Sequence, residues 1–180
     1  MDEAGRGPLA GPVYAAAVIL PEGLESLGLN DSKKLTEKKR ELLFDQITER
    51  AAAYGIGSAT PQEIDSLNIL NATFLAMRRA VEAMGVKPDL VLVDGNRAPK
   101  TGYPEVTLVK GDARCISIAA ASILAKVSRD RVLLELDRQY PEYQFAQHKG
   151  YPTALHYEMI KKYGVSPVHR LSFLKTLDRH

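Results

Sequence analysis

Leu90-Val91-Leu92-Val93 is apolar on both faces and halts at Asp94-Gly95, and no other stretch limits the possible folds of this chain as sharply. A strand without a polar face must be covered on both sides, as central strands are in a sheet flanked by helices. Val106 to Val109 repeats the arrangement and stops at Lys110-Gly111-Asp112. Ahead of these, Val13 to Leu20 is a β-capable run between Gly11-Pro12 and Pro21-Glu22-Gly23, both of which are turn chemistry. Thr36 to Tyr54 sets Leu42, Leu43, Ile47 and Ala51 on one face, which predicts a helix ended by Gly55 and followed by a short strand, Ile56 to Thr60. Thr60-Pro61-Gln62-Glu63 is a capping box with an early proline, opening a helix that runs through Leu70, Phe74 and Val81 to Gly85. Ile116 to Arg138 reads as a long helix that starts with small residues, and Thr153 to Tyr163 as a last one stopped by Gly164. Strands alternating with helices predict an α/β fold with a central mixed β-sheet flanked by helices, the early hairpin supplying the antiparallel part.

With 180 residues and 45% hydrophobic content the chain is read as a single domain over 1–180. A formal net charge of +2 neither demands nor excludes a nucleic-acid partner, so such binding has to come from local clusters. No apolar run approaches the roughly 20 residues of a membrane span, so no membrane is expected, and the lack of a leader pattern before the first motif argues against secretion. The single cysteine, Cys115, cannot form an internal disulfide, which fits a reducing cytoplasm, and its alanine-rich surroundings predict a buried small hydrophobe.

The charged residues sit where chemistry can use them. Asp94 and Asp112 close two apolar runs, and in open α/β sheets ligands collect at the carboxyl ends of strands. Asp2 and Glu3 bring the carboxylates to four, an all-oxygen donor set suited to a hard divalent cation, Mg2+ or Mn2+, better than to zinc. Gly5-Arg6-Gly7 follows directly, a loop whose backbone N–H groups and guanidinium can approach a phosphodiester. Lys33 and Lys34 precede the first long helix, and Lys149-Gly150-Tyr151 is a second glycine-hinged element whose ring can stack on a sugar or base. Taken singly these residues read otherwise as well: Asp2-Glu3 as an exposed polar terminus, Asp94 and Asp112 as turn residues, the lysines as a solvated patch, and Tyr151 as a core aromatic. His148, His156 and His169 are ligand or proton-carrier types without zinc-ligand spacing.

Together, DEAGRGPLAGPV at 2–13, NDSKKLT at 30–36, VLVDGN at 91–96, KGD at 110–112, IAAASILAKVSRD at 118–130 and HKGYPT at 148–153 resemble the ribonuclease HII family over nearly the whole chain. The resemblance implies an RNase H-like fold and an endonuclease that cuts the RNA strand of RNA·DNA hybrids and single ribonucleotides embedded in duplex DNA, leaving 3′-hydroxyl and 5′-phosphate ends. By motif match it implies Asp2, Glu3, Asp94 and Asp112 as the catalytic metal-binding quartet. It implies Gly5, Arg6 and Gly7 as the loop that reads the ribonucleotide, Tyr151 as the ring stacked at the junction sugar, and Ser32, Lys33 and Lys34 as a phosphate-handling element. A monomer acting on nucleic acid is expected. Only Met1 precedes Asp2, where the resemblance leads one to expect a longer strand, so fraying at Asp2 is a second expectation. The rival reading that follows is a module that binds an RNA/DNA junction but cuts poorly.

Overall fold

The computed structural model describes residues 1–24, 28–29 and 35–175. Strand β1 (Asp2–Ala4) pairs antiparallel with β2 (Val13–Ile19), which pairs antiparallel with β3 (Ala53–Ala59). Strands β4 (Val91–Asp94) and β5 (Glu105–Leu108) run parallel to each other. Two backbone bonds, Met1 N to Leu92 O (2.6 Å) and Asp94 N to Met1 O (3.1 Å), join β4 to the start of β1, so the two sheets form one mixed layer. Asp2 is therefore flanked by backbone pairing on either side and Met1 is buried, which removes the physical ground for the expected fraying.

Helices α1 (Glu37–Arg50) and α4 (Ile116–Gln139) cover one face of the layer; α2 (Pro61–Leu67) and α3 (Ile69–Ala83) cover the other. The two-residue period of β2 serves both: Val13, Ala15 and Ala17 join the α3 core, while Ala16 and Val18 join the core of α1 and α4. Short α5 (Phe145–His148) and α6 (Ala154–Tyr163) close a third cluster around Phe145, Leu133 and Tyr143 at the far end of α4.

Several expectations shift on contact with tertiary structure. The first helix ends at Arg50, not Tyr54, because Ala53, Tyr54 and Gly55 are taken up by β3, pairing with Ile19, Val18 and Ala17. Glycine is required there: a Cβ on Gly55 or Gly57 would stand 2.0 Å from Ala80 O or 2.3 Å from Ala76 O, so α3 lies directly on the strand. The helix expected from Pro61 to Gly85 is two, broken at Asn68 (φ 69°), whose side chain accepts the Asn71 N–H and caps α3. Strand β5 is not central, since Val106 is 43% exposed and its flanking Val109 is 60% exposed. Cys115 is half-buried at the start of α4 instead of inside the core.

Candidate active site

The loop that leaves β1 rests on two arginines with no exposed surface. Arg170 donates from Nη2 to Gly5 O (2.7 Å), from Nη1 to Arg6 O (3.1 Å) and from Nε to Gly11 O (2.9 Å). Arg129 donates to Ala10 O (3.1 Å), Lys149 O (3.0 Å) and Pro12 O (3.3 Å). Burial pulls Arg129 down to about 10 and Arg170 to about 9, the second helped by the neighbouring Arg129 charge, and both remain cationic at neutral pH. Backbone carbonyls thus take up these charges and the loop is fixed from beneath. Gly5 belongs to this foundation: its φ is +91°, and a Cβ would fall 2.1 Å from Arg129 Nε. Arg6 and Gly7 are exposed and face outward.

Beside the loop the carboxylates gather. Asp2, 6% exposed, has its pKa raised to about 8 by burial first and then by the charges of Glu3 and Asp94. Glu3 is raised by burial, against the pull of Arg6, whose Nη1 lies 3.5 Å from Oε1. Glu3 Oε2 is buried with no hydrogen-bond partner among the described residues. Asp94, at the end of β4, accepts the Gly111 N–H on Oδ1 (2.6 Å), which ties it to the 3-10 turn Gly111–Ala113 that carries the buried Asp112. Asp2, Glu3 and Asp94 therefore repel one another in a poorly solvated corner, and Asp112 follows one residue after the amide that binds Asp94. Among the described residues no three acidic, histidine or cysteine side chains are drawn together as a ready-made metal cage. The donor chemistry nevertheless fits a hard divalent cation, which would relieve the mutual repulsion and occupy the orphaned Glu3 oxygen.

Two clefts meet at Glu3 and Arg6. One, of about 430 Å3, is lined by Arg40, Ser122, Lys126 and Tyr151; the other, of about 510 Å3, is lined by Asp94, Asn96 and Arg97. Tyr151 is 39% exposed, with the Arg129 guanidinium 5.6 Å and Lys126 Nζ 6.0 Å from its ring centre. A Cβ on Gly7 would lie 3.9 Å from Tyr151 Cε1, an ordinary contact, so the exposed part of the glycine loop sits directly beside the tyrosine. The Leu9 N–H to Gly150 O bond (2.7 Å) locks the two loops together.

Of the residues singled out in the sequence, Glu3, Gly5, Arg6, Asp94 and Tyr151 line the two joined clefts, Gly7 adjoins Tyr151, and Asp2 and Asp112 are buried and line neither cleft. Ser32, Lys33 and Lys34 lie outside the described residues. The three histidines are buried and do not line either cleft. Arg129 and Arg170 escaped the sequence reading, as did Ser122 and Lys126. The available signal was a stripe at helical spacing on α4, Ser122, Lys126 and Arg129, whose first two members interrupt an otherwise apolar run from Ile118 to Val127.

No helix of the described residues is long and apolar enough to cross a membrane. A family model described as Ribonuclease HII matches residues 1–176. A curated Ribonuclease HII of Desulfitobacterium hafniense (strain DSM 10664 / DCB-2) is 59% identical over 173 residues, covering 96% of this chain, and the chain spans 66% of that relative's length. Among solved structures, the ribonuclease H2 from Pyrococcus horikoshii OT3 superposes with a TM-score of 0.81 at 32% identity, covering 99% of this chain and 93% of that one. The RNase HII of a PCNA:RNase HII complex from Archaeoglobus fulgidus gives 0.80 at 26% identity, covering 98% and 94% of the two chains. Both share the mixed sheet flanked by helices. With a family match running from the carboxylate pair of β1 to the segment that carries Arg170, the chain belongs to the ribonuclease HII family.

Proposed function

We propose that this chain is an endoribonuclease that hydrolyses the RNA strand of RNA·DNA hybrids and single ribonucleotides in duplex DNA, leaving 3′-hydroxyl and 5′-phosphate ends. The observation that carries the reading is the adjacency of a buried, mutually repelling carboxylate group to an arginine-glycine loop that lines an open cleft together with Tyr151. Asp2, Glu3, Asp94 and Asp112 would hold Mg2+ or Mn2+, with the buried, unpartnered Glu3 Oε2 among the donor oxygens. Such an ion, when bound, supplies Lewis-acid activation of water and charge compensation at the leaving oxygen.

The chain's own residues do the rest. Arg6, held near Glu3, presents a guanidinium to the phosphodiester, and the positive charge of Arg129 and Arg170 beneath the loop favours an anion over it. Gly7, lacking a side chain, lets backbone approach the ribose, where a 2′-hydroxyl distinguishes RNA from DNA. Tyr151 offers a ring face for the sugar on the other side of the cut. Lys126 and Arg40 line the same cleft and neutralise neighbouring phosphates, and Ser32, Lys33 and Lys34 extend that handling. The protein acts as a monomer in a reducing cytoplasm.

Asp94→Asn tests the assignment. Asparagine keeps an oxygen for the Gly111 N–H, so the fold should hold, while loss of one carboxylate charge should abolish cleavage with Mg2+ or Mn2+. Retained wild-type cleavage by a folded Asp94→Asn protein would defeat the proposed role of the carboxylates.

A further inference from the structure

Behind the Lys149-Gly150-Tyr151 turn lie the three imidazoles that the cleft does not use. His148 ends α5, His156 stands in the first turn of α6, and His169 comes from the segment before Arg170; their exposures are 7%, 0% and 2%. His148 and His156 stack at 4.1 Å between centres and 16° between planes. Each ring nitrogen has a partner, and several of those partners can act in only one direction. That is enough to fix where each proton sits.

His169 Nδ1 lies 2.9 Å from the Ser166 backbone N–H, which can only donate, so Nδ1 must present its lone pair and the His169 proton resides on Nε2. The Ser166 hydroxyl, 2.8 Å from the same nitrogen, can rotate to suit. His169 Nε2 is 3.0 Å from His156 Nε2, which must therefore accept. The His156 proton is left on Nδ1, where it is donated to Tyr151 O at 3.0 Å. His148 is set independently: Nδ1 accepts the Gly150 N–H (3.1 Å), and Nε2 donates to Tyr143 O (2.7 Å). His156 is thus held in the Nδ1–H form, the less favoured neutral tautomer of a free histidine side chain.

The chain ends on the residue whose ring faces the glycine loop. The turn it supports is conformationally demanding, with Lys149 at φ 54° and Gly150 at φ 82° in succession, and the Tyr151 carbonyl accepts the Thr153 N–H (2.8 Å) as well as the imidazole, so losing the His156 donor leaves it held from one side only and free to tilt with its residue. We propose that His169 and His156 are positioning residues for Tyr151, a one-way series of donors from Ser166 to the Tyr151 carbonyl that keeps the ring at the cleft with all three imidazoles neutral. This deepens the reading of Tyr151 as the residue that meets the junction sugar and rests on it. Adding a proton anywhere in the array sets two N–H groups face to face: His156 against His169, His169 against Ser166, or His148 against Gly150. Burial accordingly lowers His156 and His169 to about 4.

The test has one arm that needs no catalysis. Long-range proton–nitrogen correlation spectra of the 15N-labelled full chain at neutral pH should show, beside the signals of His180, three neutral imidazoles, His156 protonated on Nδ1 and His148 and His169 on Nε2. His156 found as the Nε2–H form, or charged, overturns the donor series. In the second arm, His156→Asn keeps an amide N–H near the Nδ1 position, whereas His156→Leu keeps none. His156→Leu should shift the Tyr151 backbone amide signal and lower kcat/KM on a duplex with one ribonucleotide by about tenfold, mostly through KM and junction preference. His156→Asn should restore most of both. Equal behaviour of the two variants, or a Tyr151 signal and KM left unmoved by His156→Leu, overturns the positioning role. If His156→Leu does not fold, His169→Gln, which retains a donor toward His156, against His169→Leu makes the same comparison. Failure of the proposed function shows itself separately, as a wild-type protein that cuts no ribonucleotide while the tautomers and the Tyr151 amide shifts come out as stated.

Discussion

Gly5 and Gly7 belong to one sequence motif yet carry opposite burdens, and exchanging each for alanine separates them. At Gly5 the new Cβ must adopt φ +91°, a strain of roughly 1–2 kcal/mol, and would sit 2.1 Å from Arg129 Nε and 2.3 Å from Cδ. Arg129 has no free space to withdraw into, because it is fully buried and bonded to Ala10 O, Lys149 O and Pro12 O. Losing even one or two of these charge-assisted bonds costs about 1.5–3 kcal/mol each, so the total is about 4 kcal/mol or more. For a chain of this size that corresponds to a fall in Tm of about 10 °C. At Gly7 the nearest atom to a Cβ is Tyr151 Cε1 at 3.9 Å, an ordinary contact, and stability should change by no more than about 0.5 kcal/mol. The methyl group would instead intrude on the space between the loop and the tyrosine, so Gly7→Ala should lower kcat/KM for ribonucleotide cleavage at unchanged Tm. Calorimetry and urea titration of both variants, with cleavage assays on whichever remain folded, decide the matter. Gly5→Ala with wild-type Tm, or Gly7→Ala as unstable as Gly5→Ala, would refute the division between foundation and surface.

The remaining predictions concern charge and packing. His156 and His169 have folded pKa values of about 4 against 6.5 when free, so the unfolded chain takes up protons first as pH falls. Their contribution is present above pH 6.5 and is lost as pH drops through 4, about 3 kcal/mol for either ring alone. Buried Asp2, raised to about 8, and Glu3, also raised, oppose this over the same window, so the rings are read as a difference: between pH 7 and 5 the urea midpoint should fall more, or rise less, in the wild type than in His156→Asn, because the rings' contribution is lost. Glu63, pulled down to about 2 by Arg79, acts with the same sign but below pH 4.5, outside this window; an unchanged slope in His156→Asn would count against the buried neutral array. Mn2+ should raise the Tm of the wild type by mass action and raise that of Asp94→Asn much less, and equal shifts would place the ion elsewhere. Gly57→Ala should cost about 3 kcal/mol in urea unfolding, because its Cβ would meet Ala76 O at 2.3 Å and Ala80 N at 2.5 Å, backbone that cannot swing aside; a neutral result would contradict the direct seating of α3 on β3.

The alternation of strands and helices was legible in the sequence because β2, β4 and α3 carry strong periodic signals of their own. Element ends were not: Ala51 to Ala53 are good helix formers on local grounds, and only the pairing of Ala53 with Ile19 and the seat for α3 draw them into β3. Asn68 breaks a helix with no proline or glycine to announce it, through a side-chain cap that matters only once the break exists. Asp94 and Asp112 stood out because a charge at the end of an apolar run needs a reason, and Asp2 and Glu3 because they run straight into an arginine flanked by glycines. Arg129 and Arg170 did not, since a buried guanidinium answered by backbone carbonyls looks in sequence like any surface arginine. The histidines were noticeable by type, but their partners are mostly main-chain groups whose identity appears only on folding.

The most direct test of the central claim is a cleavage assay on a DNA duplex carrying one ribonucleotide, with Mg2+ or Mn2+ and an all-DNA duplex alongside. The account predicts a single cut at the ribonucleotide, leaving 3′-hydroxyl and 5′-phosphate ends, and no cut in the all-DNA strand. Tight binding without cleavage, or equal cleavage of the all-DNA duplex, would contradict it.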